Sequence, residues 1–526
     1  MKLQINLFKN RVKQENLWMK EWIHSTFFLA FAFANYFLPF FICLMAGVNK
    51  EPQEPEYVIG IGLSTGFMVN IFQVGAILCM TLSFGTILYT KKNKFRPLTN
   101  AEVFTTQLIT VIVIGLILMP LYIGFSYLYM YYSGAFSNTR DAVCEYGLNF
   151  LVSSSPSILL MSVNTFTIYK VFFDKQKNFK SILLIFINLI INCLCTGLIG
   201  CFVGQNTYSY GYGLVVGNVI CLLFNLMILW KCNILWKLQF SFRLSSYLKI
   251  IRKVWGFTLT NLFVTFLRSF LILAVGASLK INDQLTSWNY LLGKIIWYNA
   301  LYMLMFINSG LGQQISYIGF RAYENTPRVY NDAVKLWWFL PLFSFITTGA
   351  LAVGFNFLIN PIAHLYASNS IPGILNGPTE YATVYATGVG SISYFVGLPY
   401  SKTYLYTAIF VTLVAVSTSF KALTPIKIEQ TKKELIKDRI TFIISVCITL
   451  GFIIGVGIGV RNLPEFPYME GFGMAMMCIS ALFVILNSLG FLKAIKTNRL
   501  LWDNNINNNL DKNNHSEHQW NLKNIR

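Results

Sequence analysis

Charge is what this sequence lacks. Of its 526 residues only 12% are Asp, Glu, Lys or Arg, where ordinary soluble domains carry roughly 25%. A chain this long with half that charge cannot clothe a water-facing surface, which excludes a large soluble enzyme, a disordered chain and a coiled coil. Acid is scarcest: 21 Asp and Glu stand against 41 Lys and Arg, for a net charge of +20. A basic excess suits nucleic acid when it forms a patch. Here the cations lie in short clusters between long apolar runs, so no nucleic-acid partner is expected. Histidine is rarer still. His24, His364, His515 and His518 are all there are, and none has a metal-ligand spacing within an apolar run. A paired-carboxylate site is missing, as is a G-x4-G-K-[ST] phosphate loop. No catalytic residue, metal site or cofactor is therefore expected, nor direct drive by ATP. No Cys-x-x-Cys pair occurs among the ten cysteines, and nearly all of them sit in apolar runs as small buried hydrophobes.

What is present is apolar surface, 55% of the residues. A membrane-spanning helix takes about 20 mostly apolar residues. The runs that qualify are 22–47, 57–90, 101–133, 142–172, 180–204, 208–231, 252–279, 285–318, 334–366, 402–421, 438–460 and 467–492. The Gly-, Ser-, Tyr- and Pro-rich stretch 367–401 is the least regular, with room for a re-entrant or extra short helix. Threading these spans with the N-terminus in the cytosol places most cations inside. Only Lys50, Arg140, Lys280 and Arg461 fall in outer loops. An even number of spans and cytosolic termini follow. The N-terminal stretch is polar and basic, with no cleavable signal peptide evident, and the first apolar run is long enough to span. The connector between the sixth and seventh spans mixes Trp236, Phe240 and Leu248 with Lys237, Arg243 and Lys249, the pattern of an amphipathic segment on the membrane surface. The Asn-rich tail is expected to be disordered.

The two halves echo one another. Phe31, Asn35, Phe37 and Phe40 form F-x3-N-x-F-x2-F in the first span, and Phe257, Asn261, Phe263 and Phe266 repeat it in the seventh. Asn70 in the second span is matched by Asn299 in the eighth, and Asn100 by Asn331. The offsets cluster at about 230 residues, and six spans separate the copies, so both halves face the same way. The expected architecture is an all-α polytopic membrane protein of about twelve transmembrane helices, in two six-helix bundles related by pseudo-two-fold symmetry. Its parts are a cytosolic segment 1–21, a first bundle 22–231, a linker 232–251, a second bundle 252–492 and a polar tail 493–526. Two such bundles leave a seam, and rocking one against the other opens it to each side in turn.

The order of features resembles the multidrug and toxic compound extrusion (MATE) family, within the superfamily that also holds polysaccharide and lipid-linked oligosaccharide flippases. The residues that carry the likeness are the second span and its exit, GIGLSTGFMVNIFQVGAILCMTLSFGTILYTKKNKF; the fourth and fifth spans, SSSPSILLMSVNTFTIYKVFFDKQKNFKSILLIFINLIINCLCTGLIG; the start of the sixth, GYGLVVGN; and the eighth with its exit, MFINSGLGQQISYIGFRAYENTPRVYNDAVK. The resemblance implies a secondary active transporter that exports amphipathic organic solutes by alternating access. It implies coupling to H+ or Na+ at a site the sequence does not assign. Relatives that exchange drugs for these ions carry carboxylates in the first helix and the second bundle. This chain departs from that pattern, with no acid between Glu21 and Glu51 and none in 252–279.

An ionisable group at mid-bilayer costs about 2.5–3.5 kcal/mol on insertion scales. Arg268 and Lys294 fall inside spans. One reading of Arg268 is a structural pair with helix carbonyls or Glu145; the other is a cationic patch with Lys294 in the seam, drawing anionic solute. That patch favours a flippase of anionic lipids or lipid-linked oligosaccharides as the alternative function, with a membrane-embedded transferase third. The candidate cavity residues are Asn35, Asn70, Gln73, Asn261, Arg268, Lys294 and Asn299. Asn164, Asn188 and Asn192 either line the cavity or hydrogen-bond between helices, at about 0.6 kcal/mol each. Pro39, Pro120 and Pro156 lie within spans as candidate kinks. The expected partners are membrane lipids and a small amphipathic or lipid-like substrate. The protein is expected to act as a monomer in the plasma membrane of a bacterium, a source to which its Lys-over-Arg bias and many Asn point.

Overall fold

The computed structural model describes residues 37–48, 56–72, 75, 100–133, 140–175, 178–204 and 206–231, with short helical pieces between 244 and 492. The second half, the linker 232–251, the tail and the repeat-bearing positions of the second bundle lie largely outside the described residues. So does the full count of twelve spans. Everything regular among the described residues is helical.

Seven helices are numbered here α1 Leu38–Val48, α2 Glu56–Phe72, α3 Asn100–Ser133, α4 Arg140–Ser154, α5 Pro156–Lys175, α6 Asn178–Leu198 and α7 Thr207–Lys231. A six-residue π-helical turn, Ile199–Gly204, continues α6. Phe104–Met130, Leu183–Gly204 and Thr207–Lys231 are each long and apolar enough to cross a bilayer. α4 and α5 together make a fourth crossing, bent by 45°. The expected single span 142–172 is therefore two helices. Proline has no N–H to donate and disfavours helical geometry in the residue before it, so the break falls at Ser155–Pro156 and α5 starts on its proline. Asn206 caps α7: its Oδ1 accepts Ser209 N–H at 2.9 Å and the Ser209 hydroxyl at 2.7 Å.

α6 and α7 turn apolar stripes outward and carry polar side chains inward, among an otherwise largely apolar interior. On α6 the exposed side chains are Leu183, Phe186, Ile190, Leu194 and Leu198, one stripe at helical spacing. The buried stripe holds Asn188, Asn192 and Thr196. On α7, Val219, Leu223 and Trp230 face outward while Asn218, Cys221 and Asn225 face inward. Apolar side chains meet lipid, and polar ones seek partners inside. α2 is buried over all of 57–70. It touches α1 through Cys43 and Thr65 (3.5 Å), α3 through Phe67 stacked on Tyr122 and Tyr129, α4 through Tyr57 and Tyr146, and α7 through Tyr57 and Tyr210. α6 and α7 form a close antiparallel hairpin. A β-carbon at Gly213 would lie 2.7 Å from Thr196 Cα, and one at Gly217 3.0 Å from Asn192 Cα, so only glycine lets these backbones meet.

Candidate functional site: a buried amide cluster in the first bundle

Three helices bring asparagines together. Asn164 on α5 donates to the Asn218 backbone carbonyl at 3.0 Å and lies 3.4 Å from Asn218 Oδ1. Its own Oδ1 accepts from Asn225 Nδ2 at 3.1 Å. Asn218 Nδ2 donates back to Leu214 O at 2.9 Å. One side chain thus ties α5 to two turns of α7, and Asn164 takes the interhelical role of its two sequence readings. From α7 the Cys221 thiol reaches the facing helix α6, 3.4 Å from the Asn188 carbonyl and 3.8 Å from Asn192 Oδ1. Cys221 lies one helical turn before Asn225, so Asn188 and Asn225 occupy neighbouring turns of α6 and α7.

Both side-chain polar atoms of Asn188 are buried without a protein partner, as is Asn225 Oδ1. Leaving such a group unmet costs about 1–3 kcal/mol, so this spot has hydrogen-bonding capacity that the protein does not use. The described buried interior carries no charged side chain. Glu56, Glu102 and Asp141 fall in or beside the first turns of their helices, and Glu145 is exposed. What the cluster can do is donate and accept hydrogen bonds to an uncharged group or a weakly held ion. Among the described residues no three His, Cys, Asp or Glu gather in a metal-binding group.

Of the residues expected to line the cavity, only Asn70 lies among those described. It is buried in α2, and its Nδ2 donates to Gly66 O at 2.9 Å. Asn35, Gln73, Asn261, Arg268, Lys294 and Asn299 lie outside the described residues. Sequence reasoning passed over Asn218 and Asn225. The signal that locates them is a buried polar stripe on an otherwise apolar helix, spaced 218, 221, 225. The segment Gly62-Leu63-Ser64-Thr65-Gly66 has the spelling of a hydrolase nucleophile turn. It lies inside α2, where Ser64 donates to Ile61 O at 2.8 Å. A nucleophile elbow needs a sharp strand-to-helix turn, so the spelling carries no hydrolase reading here.

A second polar cluster sits at the α4–α5 break. Ser153 donates to Asn149 O and Phe150 O (2.8 and 3.0 Å), Ser154 to Leu151 O (3.1 Å), Ser155 to Val152 O (2.8 Å) and Ser157 to Ser154 O. The Tyr122 and Ser154 hydroxyls meet at 3.0 Å.

No family model matches the sequence, and no curated protein matches it. Solved structures do match in fold. A transporter of the MOP superfamily from Pyrococcus furiosus, described as having a binding pocket of reverse polarity, superposes at a TM-score of 0.59 with 12% identity, covering 91% of this chain and 96% of that one. The inward-facing form of a multidrug resistance MATE family transporter of that superfamily gives 0.55, 13%, 88% and 94%. The outward-facing form gives 0.57, 11%, 91% and 96%. At such identity the likeness establishes the fold: this chain is built as these polytopic helical membrane transporters are.

Proposed function

We propose that the chain is a MATE-like secondary active transporter that exports amphipathic organic solutes by alternating access between its two bundles. The observation that carries the reading is the match, across about nine-tenths of the chain, to one transporter fold in both its inward- and outward-facing forms. The bundle supports it physically: an apolar outer surface surrounds an interior that holds buried amides, with unspent hydrogen-bonding capacity at Asn188 and Asn225. Asn35, Asn70, Gln73, Asn261, Arg268, Lys294 and Asn299 are proposed to line the seam between the bundles. The protein acts as a monomer in a bacterial plasma membrane, with both termini in the cytosol. An H+ or Na+ gradient drives it at a site not yet assigned. It binds membrane lipids and performs no catalysis.

A second reading is favoured by one observation, that the described interior holds amides and hydroxyls and no acid to meet a cation. On it the protein flips anionic lipids or lipid-linked oligosaccharides. Reconstitution into liposomes separates the two. Saturable, sided flux of a cationic dye supports the exporter, and movement of a labelled anionic lipid without dye flux supports the flippase. Absence of both above protein-free liposomes overturns the transport reading. Arg268→Ala lowers anionic-lipid movement if Arg268 faces the seam, and leaves both fluxes unchanged if it is a structural ion.

A further inference from the structure

The joint between α4 and α5 has the construction of a moving part. Its donors travel with one arm: Ser153, Ser154 and Ser155 all bond backward, to carbonyls between Asn149 and Val152. Two of the carbonyls left open at the end of α4, Leu151 O and Val152 O, are therefore met by Ser154 and Ser155 whatever direction α5 takes. Serine hydroxyls bonded to carbonyls three and four residues back are found where membrane helices bend. Across the joint the local bonds are few and of the tight i→i−3 type: Ser155 N–H to Val152 O and Ile158 N–H to Ser155 O, each 3.2 Å, with the Ser157 hydroxyl on Ser154 O. Pro156 keeps the two arms from annealing into one continuous helix.

The arms are also anchored to different neighbours. α4 is held at its far end, where the Gly60 and Gly147 backbones cross and Cys144 meets Met130 O at 3.0 Å. α5 is held beyond the joint by the Asn164 bonds to α7 and by the close approach of Leu159 to Gly115 on α3. At the joint itself two neighbours fit the bent form. A β-carbon at Gly211 would overlap the Ser153 hydroxyl and lie 2.8 Å from Ser154 N. Tyr122, fully buried, reaches Ser154 from α3.

We propose that the Ser153–Ser157 joint is a two-position hinge in the fourth span, with the Tyr122–Ser154 hydroxyl pair as the latch that selects the bent position. The hinge does not depend on what the chain carries, so it stands or falls apart from the transport reading. Arms of 15 and 20 residues measure about 22 and 30 Å, and loss of the 45° bend lengthens their end-to-end span by up to about 4 Å.

The test is a pulsed-EPR distance between spin-labelled amino acids encoded at Asp141 and Lys175. It uses the full chain, native cysteines in place, in phosphatidylethanolamine–phosphatidylglycerol nanodiscs without solute. The expected result is a short distance beside one longer by up to about 4 Å, with the ratio of long to short rising about threefold in Tyr122→Phe and equally in Ser154→Ala. Ser154→Ala alone carries the test if Tyr122→Phe is not recovered as a monodisperse protein. One unchanged distance distribution in the wild type and the variants overturns the proposal. So does a two-distance distribution whose populations neither substitution shifts.

Discussion

Among the described residues, α3 and the fourth span each carry a proline far from their ends, and only the fourth span breaks. α3 runs unbroken from Asn100 to Ser133 through Pro120, whose flank faces outward with Leu116, Ile117 and Leu121 exposed beside it. The fourth span breaks at Pro156, bent by 45°. Each proline removes one backbone donor and crowds the carbonyl four residues back. What differs is the surroundings. Around Pro156, serines take up the carbonyls, Gly211 leaves a notch, and the Tyr122 hydroxyl stands opposite Ser154. Pro120 itself is exposed, and α3 continues through it without a break. Proline permits a bend, while its hydroxyl supply and a receiving surface make one.

The comparison can be broken at several points. The largest effect is expected from Gly211→Leu, which fills the notch against the Ser154 backbone. Overpacking of this kind costs about 3 kcal/mol or more, and the readout is loss of monodisperse protein with a lower thermal midpoint in detergent. Asn164→Leu comes next. It strands Asn225 Nδ2 and removes the Asn164 bonds from α5 to α7, for about 1–3 kcal/mol by the same thermal measurement. A double-mutant cycle of Asn164 with Asn225 should show coupling, because the two share a bond. Tyr122→Phe keeps the ring and removes one interhelical bond, at about 0.6 kcal/mol. Pro120→Ala is expected to change stability by no more than about 0.5 kcal/mol in either direction. A large loss there would show that α3 depends on its proline as the fourth span does.

Much of the first bundle was legible in the sequence. The apolar runs 101–133, 180–204 and 208–231 correspond to α3, to α6 with its π turn, and to α7 within a few residues. A run of about 20 apolar residues has few stable forms in a bilayer other than a helix, because every backbone donor must find its acceptor within the segment. Pro156 stood beside Pro39 and Pro120 as a candidate kink, and nothing local in the sequence told that it, and not Pro120, would break its helix. The candidate site was far less legible. Asn164 and Asn225 are 61 positions apart, and no spacing rule reaches across two helices and a turn to pair them. Asn70 was named from its echo at Asn299, and its Nδ2 donates within its own helix, to Gly66 O.

Composition and local chemistry by themselves determined that this chain is built for lipid and where its long helices over 101–133, 180–204 and 208–231 run. Those are matters of solvent and of neighbours within a turn or two. Which asparagines meet, that α2 is enclosed by its neighbours, and that Gly211 receives Ser153 were decided only by the tertiary structure. Each requires backbones distant in sequence to approach within van der Waals contact, and that depends on how whole helices pack rather than on any one of them.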